Sequence, residues 1–451
     1  MDKIIIQNNR GAFMDYDLIL KNGTVSTISG QIQTDIGIKD QKIVSLGDLS
    51  NATAVTIKDC HNLHVLPGVI DTQAHMREPG NEHKDDLYHA SQSAVLGGVT
   101  SVFEMPNTSP STTTADALND KLARGKNMFT DHAFYVGATA DNISELATLE
   151  KMQGCAGIKI FMGSSTGNLL VSDDATLEKV LRSGTRRIAI HAEDEYRLIE
   201  RKHIAEEIAH PSAHPQWRDV TSALLATKRI VAIAEKTGRK IHILHISTGD
   251  EVDYLAQHKS FITCEVLVNH LTLAAPECYE KYGTLAQMNP PIRTQDHQDK
   301  LWEGVRSGVF DIIATDHAPH TVEEKQKPYP QTPSGIAGIA SFVPLMLNHV
   351  NNGKLTLSHF VDMVCHAPAR VFGLCNKGFI RVGYDADFTI VNMNETYQLT
   401  ADMMRYKAAI SPFEGHTLKG KVKATIIRGH IVVDNYVIQS EPFGKPLAFN
   451  V

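Results

Sequence analysis

The run VLPGVIDTQAHM at residues 65–76 is apolar through Ile70 and then turns polar at Asp71, Gln73 and His75. A short run bounded by Gly and Pro reads as a buried strand, and the side chains at its far end carry chemistry. The same texture recurs in GVTSVFEMP (98–106), HAFYVGAT (132–139), GIKIFM (157–162), RIAIHAE (187–193), KIHILHIS (240–247), FITCEVLVNH (261–270) and DIIATDHAPH (311–320). Stretches of helical period separate them, among them HKDDLYHASQSAVLGG and VTSALLATKRIVAIAEKTG. Eight such units across residues 65–375 predict an α/β fold, a (β/α)8 TIM-type barrel. A doubly wound open sheet is the weaker reading, because no GxGxxG follows the first strand.

The flanks read differently. DYDLILKNGTVST and QTDIGIKDQKIVSLGD near the N-terminus alternate apolar and polar residues, as do DADFTIVNMN and KVKATIIRGHIVVDN near the C-terminus. Asn22-Gly23 predicts a hairpin turn and Gly429-His430 another. Neither end has strands enough for a sheet of its own, so residues 1–64 and 376–451 are expected to pair into one small composite β-sandwich.

Composition sets wide bounds. With 42% hydrophobic and 21% charged residues among 451, the chain has ample material for a core, which excludes a disordered protein. A net charge of −7 without a Lys/Arg block argues against nucleic acid. Six cysteines without a CxxC pair argue against a disulfide framework and a cysteine zinc site. MDKIIIQNNRG holds too few apolar residues for a signal or membrane segment, so a soluble, cytoplasmic protein without a membrane partner is expected.

Barrel enzymes gather their chemistry at the carboxyl ends of the strands, and the twofold strand period selects the inward side chains there. That period groups Asp71, Gln73 and His75; Lys159 with Phe161; His191 with Ala189; His245 with Ile243; and Asp316 with Ala314. His242 is placed on the opposite face, toward the helices. Lysine and aspartate buried without strong partners would cost several kcal/mol, a cost that a metal cluster removes. A lysine fits such a cluster if its neutral amine, favoured by burial, takes up carbon dioxide to give a bridging carbamate. The expected ligands are His75, Lys159, His191, His245 and Asp316. Metal-activated hydroxide would cleave an amide-like bond, with Asp316 also carrying the proton to the leaving nitrogen. Of the 22 histidines, the others, such as His203, His210 and His214, are expected to be solvated.

At these residues the chain resembles the amidohydrolase superfamily, and within it the dihydroorotases. DTQAHMREPG (71–80) is similar to D-x-H-x-H-x-R-E-P-G, and ATDHAPHTVEEK (314–325) fits A-[ST]-D-x-A-P-H-x4-K. MPNTSPST (105–112), GIKIFMGSSTGNLLV (157–171), HAED (191–194), HILHIS (242–247), MNPPIR (288–293) and PSGIAG (333–338) follow in the family's order. The resemblance implies one or two zinc ions with Lys159 N6-carboxylated, and reversible hydrolysis of (S)-dihydroorotate to N-carbamoyl-L-aspartate in pyrimidine biosynthesis. It also implies that Arg77 clamps the substrate carboxylate, with Asn107, Asn289, His320 and the backbone at Ser334 and Gly335 completing the contacts. A homodimer is compatible with it.

Two positions depart from the pattern. Gln73 stands where most of the family has the first histidine of H-x-H, a weaker neutral donor that ligates through oxygen, holds a water, or leaves one tight metal. Asn269 stands where relatives often carry histidine. The alternatives are another cyclic amidase, of allantoinase or hydantoinase type, and an impaired homologue that partners aspartate transcarbamoylase. The guanidinium at Arg77 argues against the first and the otherwise intact site against the second.

Overall fold

The computed structural model describes residues 5–6, 15–164 and 169–450. Most of the N-terminal MDKIIIQNNRG segment and Ser165, Thr166, Gly167 and Asn168 of the GSSTGN block lie outside the described residues. Eight parallel strands form the barrel: β1 (Val69–Ala74), β2 (Val99–Glu104), β3 (Asp131–Gly137), β4 (Cys155–Phe161), β5 (Ile188–His191), β6 (Ile241–Ile243), β7 (Ile262–Leu267) and β8 (Ile312–Ala314). Each overlaps one of the eight predicted runs, with β3 and β4 beginning one and two residues earlier than read. Sequence order is spatial order, as right-handed β-α-β connections require. The ring closes between β1 and β8: Ala74 bridges His317, and the buried Asp71 carboxylate accepts from the Thr315 N–H and hydroxyl.

Local chemistry explains the intervening helices. Leu87–Leu96 is capped by the Asp86 carboxylate and Val220–Thr237 by that of Asp219, each accepting an orphan backbone N–H. Gly238, left-handed at φ 69, ends the second helix. The lower half of the barrel is filled by rings. Phe103 of β2 lies edge-on to Tyr135 of β3, and Phe372, from the helix Ala367–Phe372, meets Phe103 at 5.2 Å between centroids and Tyr135 at 6.4 Å. Each such buried ring contributes roughly 1.5–3 kcal/mol, and together they leave the upper half for polar groups.

Among the described residues the two flanks build one sheet of ten strands. His64–Pro67 from the N-terminal part pairs antiparallel with Phe388–Gln398 from the C-terminal part, Val65 opposite Ile390. A buried network pins this sheet to the barrel: the Lys377 ammonium lies 2.6 Å from both Asp131 of β3 and Asp387, and Arg428 also pairs with Asp131. Burial alone would penalise these charges by several kcal/mol, so their mutual pairing is what makes them tolerable.

Two turn readings change. Asn22-Gly23 is not a hairpin turn; it lies inside the strand Tyr16–Thr27, where the pairing register shifts between Leu20 and Gly23. Asn22 is left-handed at φ 63 and its side chain is bonded to Asp59, which makes it a β-bulge. The later turn is formed by Arg428 and Gly429, both left-handed, so His430 already opens the next strand.

Candidate metal and substrate site

Four predicted ligands meet in two pairs above the strands. His75, one residue past β1, places Nε2 3.1 Å from Oδ1 of Asp316, and its Nδ1 lies 2.7 Å from Oδ1 of Asn107. Gln73 donates through Nε2 to the same Asp316 oxygen at 3.0 Å. On the other side, Nδ1 of His191 lies 2.9 Å from Nε2 of His245. Lys159 sits on β4, its row continuing through Ala189 on β5, and its amine lies over the Phe161 ring at 4.5 Å. All of these except His75 are less than a tenth exposed.

Burial sets the protonation states. It pulls His75, His191 and His245 below the usual imidazole range, so each ring is neutral near pH 7. It also pulls Lys159 down to about 7, with the charges of Asp316 and Glu265 opposing only in part. The donor chemistry follows. If His75 Nδ1–H donates to Asn107, its bare Nε2 faces a carboxylate oxygen, lone pair against lone pair. The Oε1 of Gln73 is buried with no partner among the described residues. Unresolved lone pairs of this kind fit a bound cation. Among the described residues no three His, Cys, Asp or Glu side chains converge on one point. Each pair lacks a third donor of these four types, and the Lys159 amine lies within electrostatic reach of both.

Three site residues have left-handed backbones, an unusual state for residues other than glycine: Arg77 at φ 69, His245 at φ 40 and Asp316 at φ 47. Such strain, of order 1–3 kcal/mol each, concentrates where side chains must be aimed.

Arg77 donates through Nε to the carbonyl of Pro319 at 3.0 Å. His320 stands beside it, with Nε2 3.0 Å from the Ser334 carbonyl and Nδ1 3.1 Å from the Lys84 ammonium. An ammonium only donates, so Nδ1 accepts and Nε2–H goes to Ser334. The Arg77 Nη2, 3.2 Å from that Nε2, therefore has no acceptor there, and Arg77 forms no ion pair with any described carboxylate. Lys325 is similar: among the described residues its buried amine donates only to the carbonyls of Gln287, Pro333 and Gly335, and burial pulls it down to about 7. Gly335 has φ 152, and a Cβ there would come within 2.2 Å of the Ala318 carbonyl oxygen, so only glycine brings these backbones together. Beside this corner opens a cavity of about 580 Å3 lined by Ser164, Trp217, Arg218, Gln287, Asn289 and Ser334.

The sequence profile of the Amidohydrolase family matches residues 64–432. The chain belongs to the amidohydrolase family. It is 32% identical to the dihydroorotase of Halobacterium salinarum over 428 residues, 94% of this chain and 97% of that one. It is 30% identical to an allantoinase of Escherichia coli over 439 residues, 93% and 96% of the two chains. Among solved structures, the L-hydantoinase (dihydropyrimidinase) from Arthrobacter aurescens superposes with a TM-score of 0.91 at 27% identity, covering 96% of this chain and 99% of that one.

This amidohydrolase also has site residues that the strand period misplaced or passed over. His242 does not face the helices. Its row, Lys159–Ala189–His242–Thr263, faces the barrel interior, and its Nε2 lies 3.1 Å from Glu265. The period misleads because β6 ends at Ile243 and the left-handed His245 turns the chain back inward. Strand β1 is irregular too: its register shifts between Asp71 and Ala74, and the Thr72 hydroxyl crosses the interior to Glu265 on the non-adjacent β7. Glu265 itself, held up at about 8 by burial, lies within electrostatic reach of Lys159. Glu193, two residues after His191, sits 3.1 Å from its Nε2 and is locked by Arg218. Asn269 is buried and donates to the Thr315 carbonyl, next to Asp316. His203 and His210 are exposed as expected, but His214 is buried against Asn289. Apart from Glu193, two residues from His191, these side chains meet partners distant in sequence, so no local signal reveals them.

Proposed function

We propose that this amidohydrolase is a dihydroorotase, interconverting (S)-dihydroorotate and N-carbamoyl-L-aspartate by opening and closing a cyclic amide. The observation that carries the substrate is the buried guanidinium of Arg77, which makes no ion pair with any described carboxylate and whose Nη2 finds no acceptor on His320, with Lys325 nearby. A buried guanidinium whose carboxylates (Asp316, Asp85, Glu104 and Glu324) act on it only from beyond ion-pair distance is costly, so the corner suits an anion that arrives with the substrate. Dihydroorotate carries a ring carboxylate; hydantoin, dihydrouracil and allantoin carry none. The similarity to a dihydroorotase along nearly the whole chain supports the same reading.

Zinc is the proposed metal, one ion or two, held by His75 with Asp316 and by His191 with His245. Lys159, as an N6-carboxylated side chain, would supply the missing donor to each pair. With its pKa near 7, much of the amine is unprotonated at neutral pH. Attack on carbon dioxide forms the N–C bond, gives the carbamate and releases one proton. Held by these residues, zinc would supply Lewis acidity toward a water and the amide carbonyl.

The remaining work falls to the chain's own groups. Asp316 is oriented by the Gln73 amide; it takes the proton from the attacking water and passes it to the ring nitrogen as the C–N bond breaks. Arg77 grips the carboxylate in two-pronged fashion. Asn107, held against His75, and Asn289 contact the substrate's oxygens, and the backbone at Ser334 and Gly335 meets the ring amide. His320 serves this corner by bonding the Ser334 carbonyl and accepting from Lys84. Zinc-reconstituted protein is expected to turn over dihydroorotate and to leave allantoin, hydantoin and dihydrouracil unchanged. Turnover of any of those three without dihydroorotate overturns the substrate; a zinc-loaded protein inert to all four overturns the enzyme.

A further inference from the structure

His214 lies outside the ligand set, on the short helix His214–Trp217, and is 1% exposed. Its Nε2 lies 3.1 Å from the Met288 carbonyl and 2.9 Å from Oδ1 of Asn289, and its Nδ1 lies 3.2 Å from the Tyr329 hydroxyl. Met288 presents a backbone oxygen, which only accepts. Nε2 therefore carries the proton, Nδ1 is bare, and Tyr329 donates to it. Burial, with the nearby Arg218 charge, holds the ring near 3, so it is neutral at any working pH.

With Nε2–H fixed, the Asn289 amide has to present its oxygen to His214. Its NH2 group makes no hydrogen bond to any described residue, and Asn289 lines the cavity. Ser334 Oγ, 3.5 Å from the same Nε2, is held by the Gln287 amide at 3.0 Å, so the neighbouring wall is braced as well. Rotating the amide would set two donors against each other at 2.9 Å and leave its oxygen, rather than its N–H groups, toward the cavity.

We propose that His214, backed by Tyr329, is a positioning residue that fixes Asn289 as a hydrogen-bond donor to a carbonyl or carboxylate oxygen of the bound substrate. The identity of that substrate rests on the dihydroorotase reading; the positioning does not.

The test is a mutant cycle on zinc-loaded protein, with metal content and melting temperature measured alongside. His214→Phe keeps a ring but removes both bonds. It is expected to raise KM about tenfold, the factor that about 1.4 kcal/mol gives, and to leave kcat within about twofold. Glutamine carries an N–H at a reach similar to that of Nε2, so His214→Gln should recover most of the loss. In an Asn289→Ala background, His214→Phe should change KM no further. A tenfold loss that persists in that background, or a fall in kcat at unchanged KM, overturns the proposal. If His214→Phe does not fold, Tyr329→Phe replaces it: a KM rise that vanishes with Asn289→Ala supports the role, and no rise overturns it. Should the wild type take only allantoin, hydantoin or dihydrouracil, the dihydroorotase reading fails and the same cycle on that substrate decides the positioning. A wild type that takes none overturns both.

Discussion

Replacing Arg77 by methionine should cost activity and yet spare the fold. Methionine approximates the volume of the arginine stem, and the φ of 69 is equally unfavourable for both residues, so the backbone cost cancels. What changes is charge. Burial pulls the guanidinium down to about 10, a displacement worth about 3 kcal/mol against the folded, charged state. Losing the Nε bond to Pro319 gives back about 1 kcal/mol. Arg77→Met is therefore expected to unfold in urea with a stability equal to the wild type or about 1–2 kcal/mol higher. The enzyme loses one partner of a buried ion pair with its substrate, worth about 3–5 kcal/mol, so kcat/KM for dihydroorotate should fall by roughly 10²–10³-fold or more. Stopped assays for turnover and urea titrations for stability read the two effects on one preparation. A variant destabilised by more than about 2 kcal/mol, with activity lost only in proportion to unfolded protein, would show Arg77 to be a structural residue and refute the reasoning.

Three further outcomes follow from the same geometry. Lys159→Ala should lose zinc and turnover together, and acetate or propionate should restore part of both; elemental analysis showing a full metal complement in an active variant would exclude the bridging role. His242→Asn should destabilise the protein by about 1–3 kcal/mol in urea unfolding, because it leaves the buried Glu265 short of a partner; a neutral effect would mean that the ring is not in the barrel interior. Lys325 has a folded pKa near 7, below its unfolded value, so the penalty for its charge is fully present below pH 7 and is relieved as pH rises toward 10. The stability difference between wild type and Lys325→Met should accordingly shift in favour of the wild type between pH 7 and 10, and a pH-independent difference would contradict that.

The barrel was legible because each strand is an apolar run with polar residues at one end, a pattern that needs no tertiary knowledge. Strand period then found Lys159 and His191, which lie on regular stretches of β4 and β5. It failed at His242, because β6 ends at Ile243 and the chain turns back at the left-handed His245, and at Thr72 in β1, where the register shifts. It also passed over Glu265, whose strand reads as apolar, and His214, whose partners are far away in sequence. Asn22-Gly23 shows the same limit at the periphery. The dipeptide does take up the left-handed conformation its composition favours, but a bulge uses that conformation as readily as a turn, and only the pairing of neighbouring strands distinguishes them.

The most direct test is to start the zinc-loaded protein from each side of the proposed reaction, dihydroorotate in one vessel and N-carbamoyl-L-aspartate in another, and follow both species. The two mixtures should converge on one ratio at a given pH, and should fail to do so with Arg77→Met at the same concentration and time. A metal-loaded wild type that interconverts neither compound, or that opens hydantoin or allantoin instead, would contradict the account.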